Sequence, residues 1–97
     1  MREYVWDFLV VESGNTPIYS KSVDVDIAGY NTIIIVNITL KPIFVPYPGG
    51  VGLGFLQRLT INGNELENYA GKITILWDDI SPPNVGQALF IRKKFIS

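Results

Sequence analysis

The first segment of the chain alternates along its whole length. Tyr4, Trp6, Phe8 and Val10 fall on one parity, with Val5, Asp7, Leu9 and Val11 between them. Period-two spacing of aromatic and β-branched residues predicts a strand. Both of its faces are largely apolar, so it is expected to be covered on both sides, either centrally in a sheet or at an interface. Ser13 to Pro17 reads as a turn. The next segment is half polar. Tyr19, Val23, Val25 and Ile27 share one face, interrupted by Lys21, and Ser20, Ser22, Asp24 and Asp26 share the other. That is a strand with one side in water. Ala28 to Asn31 breaks it, and a third strand follows from Ile33 to Lys41. Ile34, Val36, Ile38 and Leu40 are expected to face inward there, with Ile33, Ile35, Asn37 and Thr39 outward. Consecutive Ile residues disfavour a helix, because branching at Cβ crowds the preceding turn.

Pro42 to Gly54 carries three Pro, four Gly and no charge, and reads as a loop. Phe55 to Ile61 predicts a strand leading into Asn62-Gly63, a dipeptide suited to a type I′ hairpin turn. Asn64 to Tyr69 is then expected to return as a short edge strand. Lys72 to Trp77 alternates with Ile73, Ile75 and Trp77 inward, and Asp79 to Gly86, with Pro82-Pro83, is a loop. Gln87 to Ile96 makes the last strand, with Leu89, Ile91 and Phe95 on one face and Arg92 and Lys94 on the other.

Six or seven strands, turn signals about every ten residues and no amphipathic helix predict an all-β fold. The expected form is a small antiparallel β-sandwich, jelly-roll or Ig-like, with a small barrel as the alternative. No connection is long enough for a crossover helix, so pairing should be antiparallel throughout. Residues 1–97 show no repeat, linker or low-complexity tract, and read as a single domain.

Composition narrows the chemistry. The chain has neither Cys nor His, which removes disulfides, thiolate metal sites, the commonest metal ligand and the usual proton carrier near neutral pH. The net charge is −1, and the only basic cluster is Arg92-Lys93-Lys94. Adjacent strand residues point to opposite faces, so this is no phosphate-binding stripe, and nucleic acid is not an expected partner. No apolar stretch approaches the roughly 20 residues of a membrane-spanning helix, and the first residues lack a basic-then-apolar leader pattern. Charged residues are 18%, below the usual level of about 25%. Surface so short of charge is expected to meet a partner. Abundant Ile with little Met or Gln fits a hot environment, while frequent Asn and scarce Lys and Glu argue against it.

Several motifs are candidates for function. Asp24 and Asp26 share an exposed face, and Asp78-Asp79 ends a strand; paired carboxylates bind Ca²⁺ or divide acid and base roles, but no loop here has calcium spacing. Gly49-Gly50-Val51-Gly52-Leu53-Gly54 lacks both the spacing and the following helix of a phosphate loop. Ile43, Phe44, Val45 and Tyr47 lie in a Pro-stiffened stretch that should not pair as a central strand. They would either plug the sandwich or make an apolar contact, and Phe44, Val45 and Tyr47 are taken as interface candidates with Tyr4, Trp6 and Phe8. Tyr30 and Tyr69, with Asp24 and Asp26, form the alternative, a sugar- or peptide-binding surface. Asn37-Ile38-Thr39 matches a glycosylation triplet in mid-strand, where such triplets are usually incidental. Serines have no His or Cys to activate them. These features point to a non-catalytic structural subunit of a homo-oligomer or larger assembly, such as a virion coat, spike or tail or a surface filament. No cofactor or metal is expected.

Overall fold

The computed structural model describes residues 3–14, 18–80 and 85–96. Eight strands follow in order: β1 (Tyr4–Glu12), β2 (Ile18–Asp26), β3 (Thr32–Asn37), β4 (Ile43–Val45), β5 (Val51–Leu53), β6 (Arg58–Asn62), β7 (Lys72–Ile80) and β8 (Gln87–Phe95). A 3-10 helix, Gly63–Tyr69, joins β6 to β7. The strands form two four-stranded sheets, ordered β1-β8-β3-β6 and β2-β7-β4-β5. Every ladder is antiparallel. Apart from the β4-β5 hairpin, successive strands alternate between the two sheets, which makes the sandwich a jelly roll. An Ig arrangement groups its strands differently.

Alternation supplies the core. Val25 and Ile27 with Ile73, Ile75 and Trp77, and Ile43, Val45 and Leu53, fill one inner face; Val11, Ile33, Ile35, Ile61, Ala88 and Phe90 fill the other. Trp77 and Phe90 are fully buried. Two devices close the end where β1 finishes. Ser13 and Gly86 exchange bonds: the Ser13 N–H donates to the Gly86 carbonyl at 2.9 Å, and the Gly86 N–H donates to Ser13 Oγ at 2.8 Å. The Trp77 indole lies directly over Gly86, where an added Cβ would stand 2.2 Å from Nε1. Asn37, fully buried, is the second device. Its Nδ2 donates to the carbonyls of Lys41 (2.8 Å) and Leu53 (3.0 Å), and its Oδ1 accepts from Thr39 N–H (3.1 Å) and Oγ1 (3.0 Å). The side chain thereby satisfies the backbone where β3 ends and β5 ends. Its amide nitrogen has no room for a glycan, so the triplet at 37–39 is structural.

The structure departs from the expected elements at several places. In β3 the inward residues are Ile33, Ile35 and Asn37, and Ile34 and Val36 face out half-buried, the reverse of the expected sides. In β8 Leu89, Ile91 and Phe95 share one face as expected, and it is the outer one, with Ala88 and Phe90 in the core. In both strands the two parities are nearly equally apolar, so alternation carried no sign. The Pro-rich stretch does pair: Ile43–Val45 lies between β7 and β5, because Pro42 and Pro46 flank the paired residues and leave their N–H groups free to bond. Residues 64–69 form a helical turn instead of an edge strand, with Leu66 buried and Glu65 and Glu67 in water. A type I′ turn needs positive φ at two residues; Gly63 has it (+54°), but Asn62 is extended at −147°. Phe55 and Leu56 belong to a turn before β6, with Leu56 at φ +60°. Asn15–Pro17 and the Pro82-Pro83 loop segment lie outside the described residues, as do the side chains of Tyr19, Asp78 and Asp79.

Candidate functional site

The outer face of the β1-β8-β3-β6 sheet carries a row of aromatic and aliphatic residues set by the register. Tyr4 pairs with Phe95; Trp6 with Lys93, which pairs with Thr32; Phe8 with Ile91, then Ile34 and Thr60; Val10 with Leu89, then Val36 and Arg58; and Glu12 with Gln87. Tyr4, Trp6, Phe8 and Val10 are 50%, 44%, 67% and 50% exposed. Ile34, Val36, Leu89 and Ile91, on the same face, are half-buried. The sequence pattern marks Tyr4, Trp6 and Phe8 but not the β3 and β8 contributors, because it turns Ile34 and Val36 inward and gives Leu89 and Ile91 no side.

Charge is confined to the margins of the apolar band. Lys93 Nζ lies 4.6 Å from the Tyr4 ring centroid and 5.4 Å from that of Trp6, at one end of β8. At the other end Gln87 Nε2 donates to Glu12 Oε1 at 2.7 Å. Arg58 stands on β6. Monomeric proteins rarely leave a contiguous apolar patch of more than a few hundred Å² in water. β1 is also an edge strand, paired within its sheet to β8 alone, and on its inner parity Val5 and Leu9 remain 38% and 37% exposed. It is therefore not central, and its double apolarity belongs to an edge with an uncovered outer face.

The opposite sheet turns a polar face to water: Ser22, Asp24 and Asp26 on β2 and Lys72 and Thr74 on β7. Asp24 accepts from Thr74 Oγ1 at 2.7 Å and pairs with Lys72 at 3.3 Å, and these bonds hold its carboxyl below the usual range, Thr74 contributing most. Asp26 Oδ1 accepts the Ala28 N–H at 3.0 Å. Phe44 is the large ring on this face, half-exposed and packed over Gly50. Val45, expected in an interface, is buried in the core because it has the same parity as Ile43. Tyr47 is exposed and meets Tyr69 edge-on at 6.4 Å.

The alternative ligand residues are engaged within the chain. Tyr30 donates its hydroxyl to Asp7 Oδ2, Arg92 Nε donates to Asp7 Oδ1 at 2.7 Å, and Arg92 Nη1 donates to the Asp26 carbonyl at 3.1 Å. The Arg92 guanidinium also stacks on the Tyr30 ring at 4.5 Å. This cluster joins the two sheets at one end. The Tyr30 hydroxyl, then Arg92, lower the Asp7 carboxyl below the ordinary range, and the same bond raises Tyr30. Tyr69 is raised by burial and by Glu65. Among the described residues no three carboxylates gather as a metal site requires, and no helix is long and apolar enough to cross a membrane.

No protein-family model matches the chain, and no curated protein matches its sequence. Solved structures do share its shape. A cupin protein from Bacteroides fragilis matches with a TM-score of 0.56 at 10% identity, covering 97% of this chain and 76% of its own. A Bacillus endospore appendage, from a family of disulfide-linked pili, gives 0.53 at 8%, covering 100% and 92%. The coat protein of Tobacco streak virus gives 0.50 at 12%, covering 97% and 88%. At these identities the likeness is one of fold, and it agrees with the jelly-roll order of the strands.

Proposed function

We propose that this chain is a non-catalytic structural subunit that works by packing against other protein subunits in a larger homo- or hetero-oligomer, such as a virion shell, spike or tail or a surface filament. The observation that carries this reading is the aromatic outer face of β1 and β8, with Tyr4, Trp6, Phe8 and Val10 in water beside Ile91 and Leu89. Covering them is worth roughly 25 cal/mol per Å² of apolar surface before the costs of association. Two of the proteins that share its fold, the coat protein and the appendage pilin, are assembly subunits by description. The pili are disulfide-linked, whereas this chain has no cysteine. Its contacts would therefore form without disulfides.

Sedimentation velocity on the purified chain tests the reading. An oligomer at micromolar concentration is expected, and replacing Trp6 and Phe8 with Ser should leave a folded monomer. A wild-type chain that stays monomeric at about 100 μM, well above the micromolar affinities of modest interfaces, overturns it. The cupin likeness supports a second reading, a small ligand-binding module. A monomer that binds on a glycan or peptide array would favour that one.

A further inference from the structure

The outer face of the β1-β8-β3-β6 sheet carries opposite charges on either side of its apolar centre: Lys93 in the Trp6 row, one row inside the Tyr4–Phe95 end, and Glu12 in the last row, with Arg58 on the β6 edge one row from it. Lys93 sits level with Trp6, and Glu12 sits level with Gln87, six residues further along β1. At about 3.3 Å per residue the two levels are roughly 20 Å apart. Midway between them lie the Phe8–Ile91–Ile34 and Val10–Leu89–Val36 rows, the apolar centre of the face. From this we infer that the occupant of the face is a second copy of the same chain, packed face to face about a two-fold axis that crosses the strands between the Phe8 and Val10 rows.

That operation reverses strand direction between copies. The Lys93 end of each face then lies over the Glu12 end of the other, two symmetry-related ion pairs flank the apolar centre, and Arg58 falls opposite Thr60. A two-fold axis running along β8 instead would set Lys93 against Lys93. Two-fold contacts are isologous, so one patch must complement itself, and this one does so in the first orientation.

The area suits a second copy as well. Half-exposed rings of Tyr4, Trp6, Phe8 and Phe95 contribute on the order of 400 Å², taking about 200 Å² for a fully exposed ring. Val10 and the half-buried aliphatics of β3 and β8 raise this to roughly 600 Å² a copy, or about 1,200 Å² in total, the lower bound of a specific interface. The contact need not use the open edge of β1. Pairing edge to edge would add a strand to the sheet but leave Ile34, Val36, Leu89 and Ile91 in water.

The inference rests on the assembly reading and adds the orientation of the contact. A charge-swap cycle followed by sedimentation velocity tests it, with circular dichroism confirming the fold of each variant. Lys93→Glu and Glu12→Lys should each weaken dimerisation about tenfold, since every reversal alters two pairs at once. Combining them restores opposite charge and should recover wild-type affinity to within about threefold. If both single reversals leave association unchanged while Phe8→Ser abolishes it, the face is an interface in another orientation and this inference is wrong. If Phe8→Ser also leaves association intact, the assembly reading through this face falls with it. Weakened singles whose double variant stays weak likewise overturn the proposed pairing.

Discussion

The two outer faces of this sandwich are built by the same alternation and end up opposite in character. On the β2-β7 side, Ser22, Asp24, Asp26, Lys72 and Thr74 meet water and bond to one another. On the β1-β8-β3 side the same parity rule sets out Tyr4, Trp6, Phe8 and Val10 with Ile34, Ile91 and Leu89, and the charges stand only at the ends. Both sheets close the same core, so core formation does not explain the difference. A strand that needs to bury one face is served by polar residues on the other. The aromatic face is not needed to close the core, and the proposed assembly role rests on it.

Breaking the comparison is easiest at its aromatic side. Trp6→Ser with Phe8→Ser should weaken self-association about a thousandfold or more, at about 2 kcal/mol per central aromatic contact, with little change in unfolding midpoint; Phe44→Ser, on the polar side, should leave association within about threefold of wild type. Sedimentation equilibrium reads both.

The devices between the faces should act on stability and leave the choice of face alone. Asn37→Ala strands two carbonyls and the Thr39 N–H that it serves, and should cost about 3 kcal/mol in urea unfolding. Gly86→Ala drives a methyl into the Trp77 indole and should cost about 2 kcal/mol, because a buried ring has nowhere to move.

A smaller effect follows from the Asp7–Tyr30–Arg92 cluster. Asp7 ionises more readily folded than unfolded, so its contribution is complete above its unfolded value of about 4 and fades as pH falls through the lowered native value. Unfolding midpoints measured between pH 6 and pH 2.5 should decline, and Asp7→Asn should flatten part of that decline while lowering stability at pH 6. Smallest of all, Asp24→Asn removes a fully solvated pairing on the polar face and should leave both association and the unfolding midpoint at neutral pH unchanged within error.

How much of this was legible depended on which sheet a strand joined. In β2 polar residues on one parity mark the outside, and Val25 and Ile27 are buried where alternation places them. In β3, Ile33 and Ile35 compete with Ile34 and Val36 on equal terms, and in β8 Phe90 competes with Leu89 and Ile91. Alternation gives the wrong side for β3 and no side for β8, the two strands that help build the aromatic face. The failure has a physical meaning: alternation carries no sign where both parities of a strand are apolar. For β1 the double apolarity belongs to an edge strand whose outer face is exposed. The 3-10 turn at Gly63–Tyr69 was missed for another reason, since the Asn62-Gly63 signal is shared with hairpins and only the extended Asn62 backbone separates the two.

The sequence by itself determined the all-β class, the antiparallel pairing and a surface poor in charge, because these depend on local alternation and composition. Tertiary structure decided which parity of β3 and β8 faces the core, that the Pro-flanked Ile43–Val45 is a paired strand, and that Tyr4, Trp6 and Phe8 share one surface with Ile34, Ile91 and Leu89. Those outcomes rest on partners distant in the chain, above all the β1-β8-β3 register, and no local pattern contains them.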